Sequence, residues 1–200
     1  MLEAMAAGRS NRFSPIDSVE LVWTGPQATG TDLRDTAVVV RELFAQASES
    51  VLVAGYRVYQ GREVFRPLAE RMIAVPGLRV RLNLDIHREP GDTLSERETL
   101  RRFARKFMEQ DWPEQSPLPE VFFDPRSLSQ ETGKRSCLHA KCVVIDRRVA
   151  LITSANFTEA AQERNIETGV VIRSQRFASR LAEHFEALAA TNVLHKLDLP

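Results

Sequence analysis

The chain has 200 residues, 43% of them hydrophobic and 27% charged, and its 27 basic and 27 acidic side chains cancel. This profile excludes a disordered chain and a bulk electrostatic binder of nucleic acid, although a local basic cleft is compatible with zero net charge. Two cysteines, Cys137 and Cys142, are too few for a disulfide framework and point to a reducing, cytoplasmic setting.

Residues 1–15 read as a flexible N-terminal tail and residues 16–200 as a single domain. Val19 to Thr24 is a strand ending at Gly25-Pro26. Leu33, Ala37, Val40, Phe44 and Ala47 recur at helical spacing, which predicts a helix from about Thr31 to Ser48. Ser50 to Val58 is a continuous apolar run, as in a buried strand. Glu63 to Ile73 is the next helix, stopped by Pro76-Gly77, and Leu78 to Asp85 alternates as a strand.

Thr93-Leu94-Ser95-Glu96 has the pattern of a capping box opening a charged helix to about Gln110. Trp112 to Pro119 is a loop, Glu120 to Phe123 a short strand, and Asp124 to Ser136 a polar loop. Strands follow near His139–Asp146, Val149–Thr153 and Ile166–Arg173. A last helix carries Phe177, Leu181, Phe185 and Leu188 on one face. The order predicts a mixed α/β sandwich with helices on both faces of the sheet. No apolar run reaches the roughly 18–20 residues that span a bilayer, so no membrane association is expected.

The chemistry concentrates in His139-x-Lys141 and Asp146, with Ser154-x-Asn156 and Glu167 downstream. On a strand, His139 and Lys141 project to one face, while Asp146, seven residues from His139, turns to the other. Asp146 therefore belongs with the site as an anchor of the strand. A neutral imidazole can attack phosphorus and form a covalent phospho-enzyme. Lys141, Ser154 and Asn156 supply a charge and two neutral donors for phosphate oxygens, each such donor worth about 3–4 kcal/mol in the transition state. Glu167 is the candidate partner of His139. The leaving oxygen needs a general acid, and the chain holds no second His-x-Lys. The simplest source is His139 of a second copy, which implies a homodimer with a shared site.

The spacing of His139, Lys141 and Asp146, with Ser154-x-Asn156 and Glu167 beyond, resembles the HKD motif of the phospholipase D superfamily and of its single-motif bacterial endonucleases. The strings Leu21–Pro26, Val53–Tyr56, Gln60–Phe65 and Leu138–Glu167 are similar to the phospholipase D-like family of DISARM anti-phage gene clusters. The resemblance implies an α/β/α sandwich and metal-independent phosphodiester chemistry through phosphohistidine, with neither metal nor cofactor. It implies His139 as nucleophile, Lys141, Ser154 and Asn156 on phosphate, Glu167 beside His139, and a structural Asp146. The expected function is a nuclease of an anti-phage system with nucleic acid, probed first as DNA, as substrate and other defence proteins as partners. A nucleic-acid-binding accessory subunit with a dispensable site and a lipid phosphodiesterase are the alternatives.

Lys134 and Arg135, just before the motif, are placed for a phosphate backbone, whereas Arg101, Arg102, Arg105 and Lys106 read as a solvated helix face. Cys137, His139 and Cys142 match no zinc spacing. His87, His184 and His195 have no partner legible in the sequence.

Overall fold

A computed structural model describes residues 19–31, 33–56, 58–59, 61–88 and 91–199. The expected tail, residues 1–15, lies outside these. Among the described residues the main sheet has nine strands in the order β11-β6-β5-β3-β7-β8-β10-β1-β2. They are β1 (Val19–Thr24), β2 (Arg34–Asp35), β3 (Ser50–Gly55), β5 (Arg79–Leu84), β6 (Glu120–Phe123), β7 (Cys142–Ile145), β8 (Val149–Thr153), β10 (Glu167–Arg173) and β11 (His195–Lys196). A separate two-stranded sheet pairs β4 (Val58–Tyr59) with β9 (Phe157–Thr158).

The sheet is mixed. β3, β5 and β6 run parallel, while β7, β8, β10 and β1 alternate as antiparallel neighbours. The helices are α1 (Thr36–Gln46), α2 (Gly61–Ala74), α3 (Glu96–Lys106), the short α4 (Glu159–Glu163) and α5 (Gln175–Ala190). Val143 and Ile145 of β7 join one apolar cluster with Val39, Phe44, Phe65 and Leu68 of α1 and α2. Cys142 and Val144 join another with Ala178, Ala182 and Phe185 of α5. The alternation of one strand thus feeds two cores, one on each face of the sheet.

Several boundaries differ from the periodicity reading for physical reasons. α1 starts at Thr36 because the Asp35 side chain accepts from the Val38 N–H at 3.1 Å and closes the first turn. The capping box sits two residues later than Thr93-x-x-Glu96: Ser95 and Glu98 cap each other's backbone. α3 then widens into a π-turn over Phe107–Asp111, closed by Trp112 N–H to Phe107 O at 2.8 Å. On α5, Phe177 is 40% exposed, and Ala178 and Ala182 fill the contact with Phe185 instead.

Phe65 links the larger core to the loops above it. Its ring lies 6.4 Å from Phe44, 5.7 Å from Trp112 and 5.9 Å from Phe157. Burying each such aromatic contributes about 1.5–3 kcal/mol, and offset ring pairs add about 0.5–1.5. Phe157 directly follows Asn156, so core packing holds the Ser-x-Asn segment in place.

Candidate active site

The topology gathers the candidate residues at one edge of the sheet. Ala54 pairs with Cys142, so the end of β3 lies beside the start of β7. Cys142 pairs with Ile152 and Thr153 with Gly169, which brings the end of β8 and the start of β10 to the same edge. Tyr56 therefore follows β3, Asp85 and His87 follow β5, His139 and Lys141 precede β7, Ser154 and Asn156 follow β8, and Glu167 opens β10. A crevice outside the carboxyl ends of parallel strands is where open α/β sheets bind ligands.

His139 and Lys141 lie in a segment without regular secondary structure just before β7, outside the strand that the sequence pattern assigns to them. They still converge. Lys141 Nζ is 3.3 Å from His139 Nδ1, 3.4 Å from Nε2 and 3.0 Å from the His139 carbonyl oxygen, to which it donates. Whichever tautomer the ring adopts, an unprotonated nitrogen can accept from the ammonium. Burial lowers the Lys141 pKa from its ordinary value, opposed by the nearby charges of Glu167 and Cys137. His139 is exposed, and its ring packs on Tyr56 with centroids 4.5 Å apart. Lys141 Nζ also stands 5.4 Å from the Tyr56 centroid, within cation–π range.

Glu167 differs from the expected pairing. Its carboxylate accepts a very short bond from the Ser154 hydroxyl and one of 3.2 Å from Asn165 Nδ2, and no bond to His139 is formed among the described residues. Ser154 Oγ in turn accepts from the Thr168 N–H at 3.1 Å. The hydroxyl proton is thus directed at Glu167, so contact with a phosphate oxygen requires rotation of the hydroxyl or displacement of the carboxylate. Asn156 Oδ1 is buried without a hydrogen-bond partner, while the Asn156 carbonyl accepts from Gln162 Nε2 at 3.0 Å.

Asp146 lies at the opposite end of β7. With Arg147 it occupies the left-handed region, φ 50° and 53°, in the β7–β8 turn. Its carboxylate accepts from the N–H groups of Ser48, Glu49 and Ser50 and from the Ser48 hydroxyl, at 2.7 to 3.1 Å. It anchors the entry to β3 and does not approach His139. Burial pushes its pKa up, and these hydrogen bonds together hold it below the ordinary carboxylate value.

The flanking cations are largely engaged. Lys134 pairs with Glu131 at 2.7 Å, and Arg135 Nε donates to the Ser129 carbonyl at 2.7 Å. Arg147 grips Glu186 through two contacts and Arg148 reaches Glu49. Trp23 donates its indole N–H to Pro26 O, a local lock of the first turn. Burial pushes the Cys142 thiol up to about 11, as befits a packing cysteine. Among the described residues no group of three or more His, Cys, Asp or Glu side chains is arranged to hold a metal. A large cavity lies elsewhere, between α3 and residues 195–199, and none of these side chains lines it.

Three residues at this edge carry no signature in the linear motif: Tyr56, whose ring meets His139, and Asp85 and His87. The Asp85 side chain is fully buried; its Oδ1 accepts from the Leu138 N–H at 2.9 Å and its Oδ2 meets His87 Nδ1 at 3.0 Å. Their sequence signal is positional only, since each follows the carboxyl end of a parallel strand.

Residues 40–189 match the family model described as the cardiolipin synthase, PLD-like domain. The chain belongs to the phospholipase D-like family. That span covers every candidate residue from Tyr56 to Glu167. The chain is 28% identical over 161 residues to DISARM protein DrmC of Bacillus paralicheniformis, an alignment covering 80% of this chain and 58% of that protein. It thus spans less than two thirds of that relative's length. Among solved structures it is similar to Nuc of Salmonella typhimurium, a phospholipase D family member, with a TM-score of 0.55 at 20% identity over 90% of this chain and 97% of that one. NucT from Helicobacter pylori gives a TM-score of 0.55 at 16% identity, covering 85% and 95%. These two likenesses share the mixed sheet with flanking helices.

Proposed function

We propose that this protein is a metal-independent phosphodiesterase, a nuclease of an anti-phage defence system, that works through a phosphohistidine. The observation that carries the reading is the exposed His139 ring packed against both Tyr56 and the Lys141 ammonium. A ring nitrogen of His139 attacks phosphorus, and Lys141 offsets charge on the non-bridging oxygens. The Asn156 amide adds a neutral donor, and Ser154 joins once its proton leaves Glu167. Asp146 acts as an anchor of the fold. The defence role draws its support from the likeness to DrmC.

The test is cleavage of DNA and RNA in EDTA, wild type against His139→Ala. The expected result is chelator-resistant cleavage that the substitution abolishes. Cleavage lost in EDTA and restored by magnesium overturns the metal-free mechanism. Headgroup release from phosphatidylcholine vesicles without nucleic-acid cleavage makes the protein a lipid phosphodiesterase. An unchanged defence phenotype and unchanged DNA affinity in His139→Ala make it an accessory binder.

The single motif and the exposed position of His139 also support a homodimer, two copies meeting with their His139 edges near a two-fold axis. Sedimentation tests this assembly: a strict monomer that turns over substrate overturns it.

A further inference from the structure

Two rows of side chains run along α3 and the π-turn that continues it. Arg97, Arg101 and Arg105 recur at every fourth residue, and Leu100, Ala104 and Met108 repeat at the same spacing, each three residues after an arginine. Residues three apart are neighbours on a helical surface, so a basic row lies beside an apolar one. Both rows line the groove between α3 and residues 195–199. Ala104, Phe123 and Leu197 are buried in its floor, while Leu100, Met108 and Leu199 are only partly covered and pack against the larger core. β11 is the last strand of the sheet order, so among the described residues no strand closes the outer side of this wall.

The three arginines are exposed, and among the described residues none of them forms a hydrogen bond or an ion pair. Other cations of this region are committed: Arg102 pairs with Asp92 at 2.5 Å, Arg62 with Glu114 at 2.9 Å, and Lys196 of the facing wall with Glu120 at 2.7 Å. Glu96 and Asp198 also line the groove, but the arginines outnumber them. Unpaired guanidinium groups beside an aliphatic strip are the complement of an acidic amphipathic helix. The arginine row covers about 12 Å, and carboxylates at every fourth position of a docked helix repeat at the same interval of about 6 Å. The aliphatic wall suits nucleic acid poorly, because unpaired bases stack on exposed rings and Phe123 is 2% exposed. Residues 1–18 do not carry the complementary charge either, since Glu3 and Asp17 are balanced by Arg9 and Arg12.

We propose that the α3 groove docks an acidic amphipathic helix of a partner protein, its carboxylates against Arg97, Arg101 and Arg105 and its apolar face against Leu100, Ala104 and Met108. This docking site is separate from the His139 edge and does not depend on which phosphodiester that edge cleaves.

The test uses the full chain and two fluorescein-labelled helical peptides of about four turns. One carries Glu at every fourth position with Leu three residues after each; the other has Lys in place of Glu. Anisotropy should show the Glu peptide binding with a Kd of about 1–50 μM and the Lys peptide binding far more weakly. Arg101→Glu with Arg105→Glu should weaken the Glu peptide by about 30-fold and strengthen the Lys peptide, a gain that misfolding cannot produce. Met108→Gln with Leu199→Ser should weaken the Glu peptide by about 10-fold at an unchanged melting temperature. No binding of the Glu peptide at about 1 mM overturns the proposal, as does binding indifferent to the charge reversal. Charge dependence without any effect of Met108→Gln and Leu199→Ser reduces the groove to a non-specific basic surface and also overturns it. Displacement of the Glu peptide by oligothymidine makes the groove a nucleic-acid track instead. Sedimentation of the charge-reversed chain at a smaller size than wild type makes it a contact between copies, and either result overturns the partner helix.

Discussion

Lys141 and Asp146 belong to the same short motif, yet they fail differently when changed. Lys141 Nζ lies against the His139 ring at 3.3 Å, and burial already lowers its pKa. In the proposed mechanism, removing it takes a preorganised charge from the place where phosphate oxygens gain charge. Lys141→Ala should lower kcat by about 100- to 1000-fold with little change in stability. Steady-state kinetics beside a urea melt check this; a loss seen only in the melt makes Lys141 structural. Asp146 is the reverse case. Asn at 146 tolerates the left-handed turn but loses the carboxylate that accepts from Ser48, Glu49 and Ser50. Asp146→Asn should cost about 2 kcal/mol while leaving the folded enzyme active. The sign of its pH dependence follows from a folded pKa held below the ordinary value. The contribution is fully present above the ordinary carboxylate range and is lost as pH falls through the lower folded value. Urea melts at neutral and strongly acidic pH should show the gap between wild type and variant closing in acid. A gap that widens in acid contradicts the assignment. His139, Lys141, Ser154, Asn156 and Glu167 were legible because they lie in one stretch of chain. Tyr56, Asp85 and His87 were not, because only the parallel pairing of β3 with β5 and the pairing of β3 with β7 bring them there. The partner of Glu167 was equally invisible, since the register between β8 and β10 gives it Ser154 rather than His139.

Elements transmit the core to the site through close packing at strand ends. Gly55 ends β3 directly before Tyr56, and a Cβ there would lie 2.7 Å from Phe157 Cδ2 and 3.2 Å from Cε2. Phe157 is fully buried and stacked on Phe65, so its ring has little room to yield. Gly55→Ala should therefore destabilise the fold by about 1–3 kcal/mol and also depress activity, because Asn156 moves with Phe157. Thermal unfolding together with kinetics tests this; a variant of wild-type stability and rate shows that the β3 and β9 ends are not tightly coupled. Strands with a continuous apolar run or strict alternation, such as β3, β6 and β8, were readable from their residues alone. The two-residue strands β2, β4, β9 and β11 were not, because such short pairs carry no periodicity and owe their existence to tertiary contact. The start of α1 and the true capping box of α3 were set by single side chains, Asp35 and Ser95, that compete with equally plausible caps nearby.

The whole molecule carries no net charge, and most cations near the site edge are already committed to neighbours. Arg147 and Arg148 are paired at the far end of the β7–β8 hairpin. Nucleic acid at the His139 edge should thus be held by few ionic contacts, with Lys141 as the central one and stacking on exposed rings as support. Affinity for a single-stranded oligonucleotide falls with salt according to the number of phosphates neutralised. Two or three contacts correspond to a loss of about 5- to 20-fold between 50 and 200 mM salt, against about 300-fold or more for six to ten contacts. Fluorescence anisotropy with the His139→Ala chain, which the proposed mechanism leaves unable to cut, measures the slope. A shallow slope fits binding confined to the edge. A steep one requires a second basic surface, and the described structure offers one candidate. Arg97, Arg101 and Arg105 of α3 line the large groove with Lys196 and the apolar Leu100, Met108 and Leu199. Arg101→Glu with Arg105→Glu then flattens a steep slope if that groove is engaged and leaves a shallow one unchanged, so the two outcomes locate the nucleic acid on the molecule.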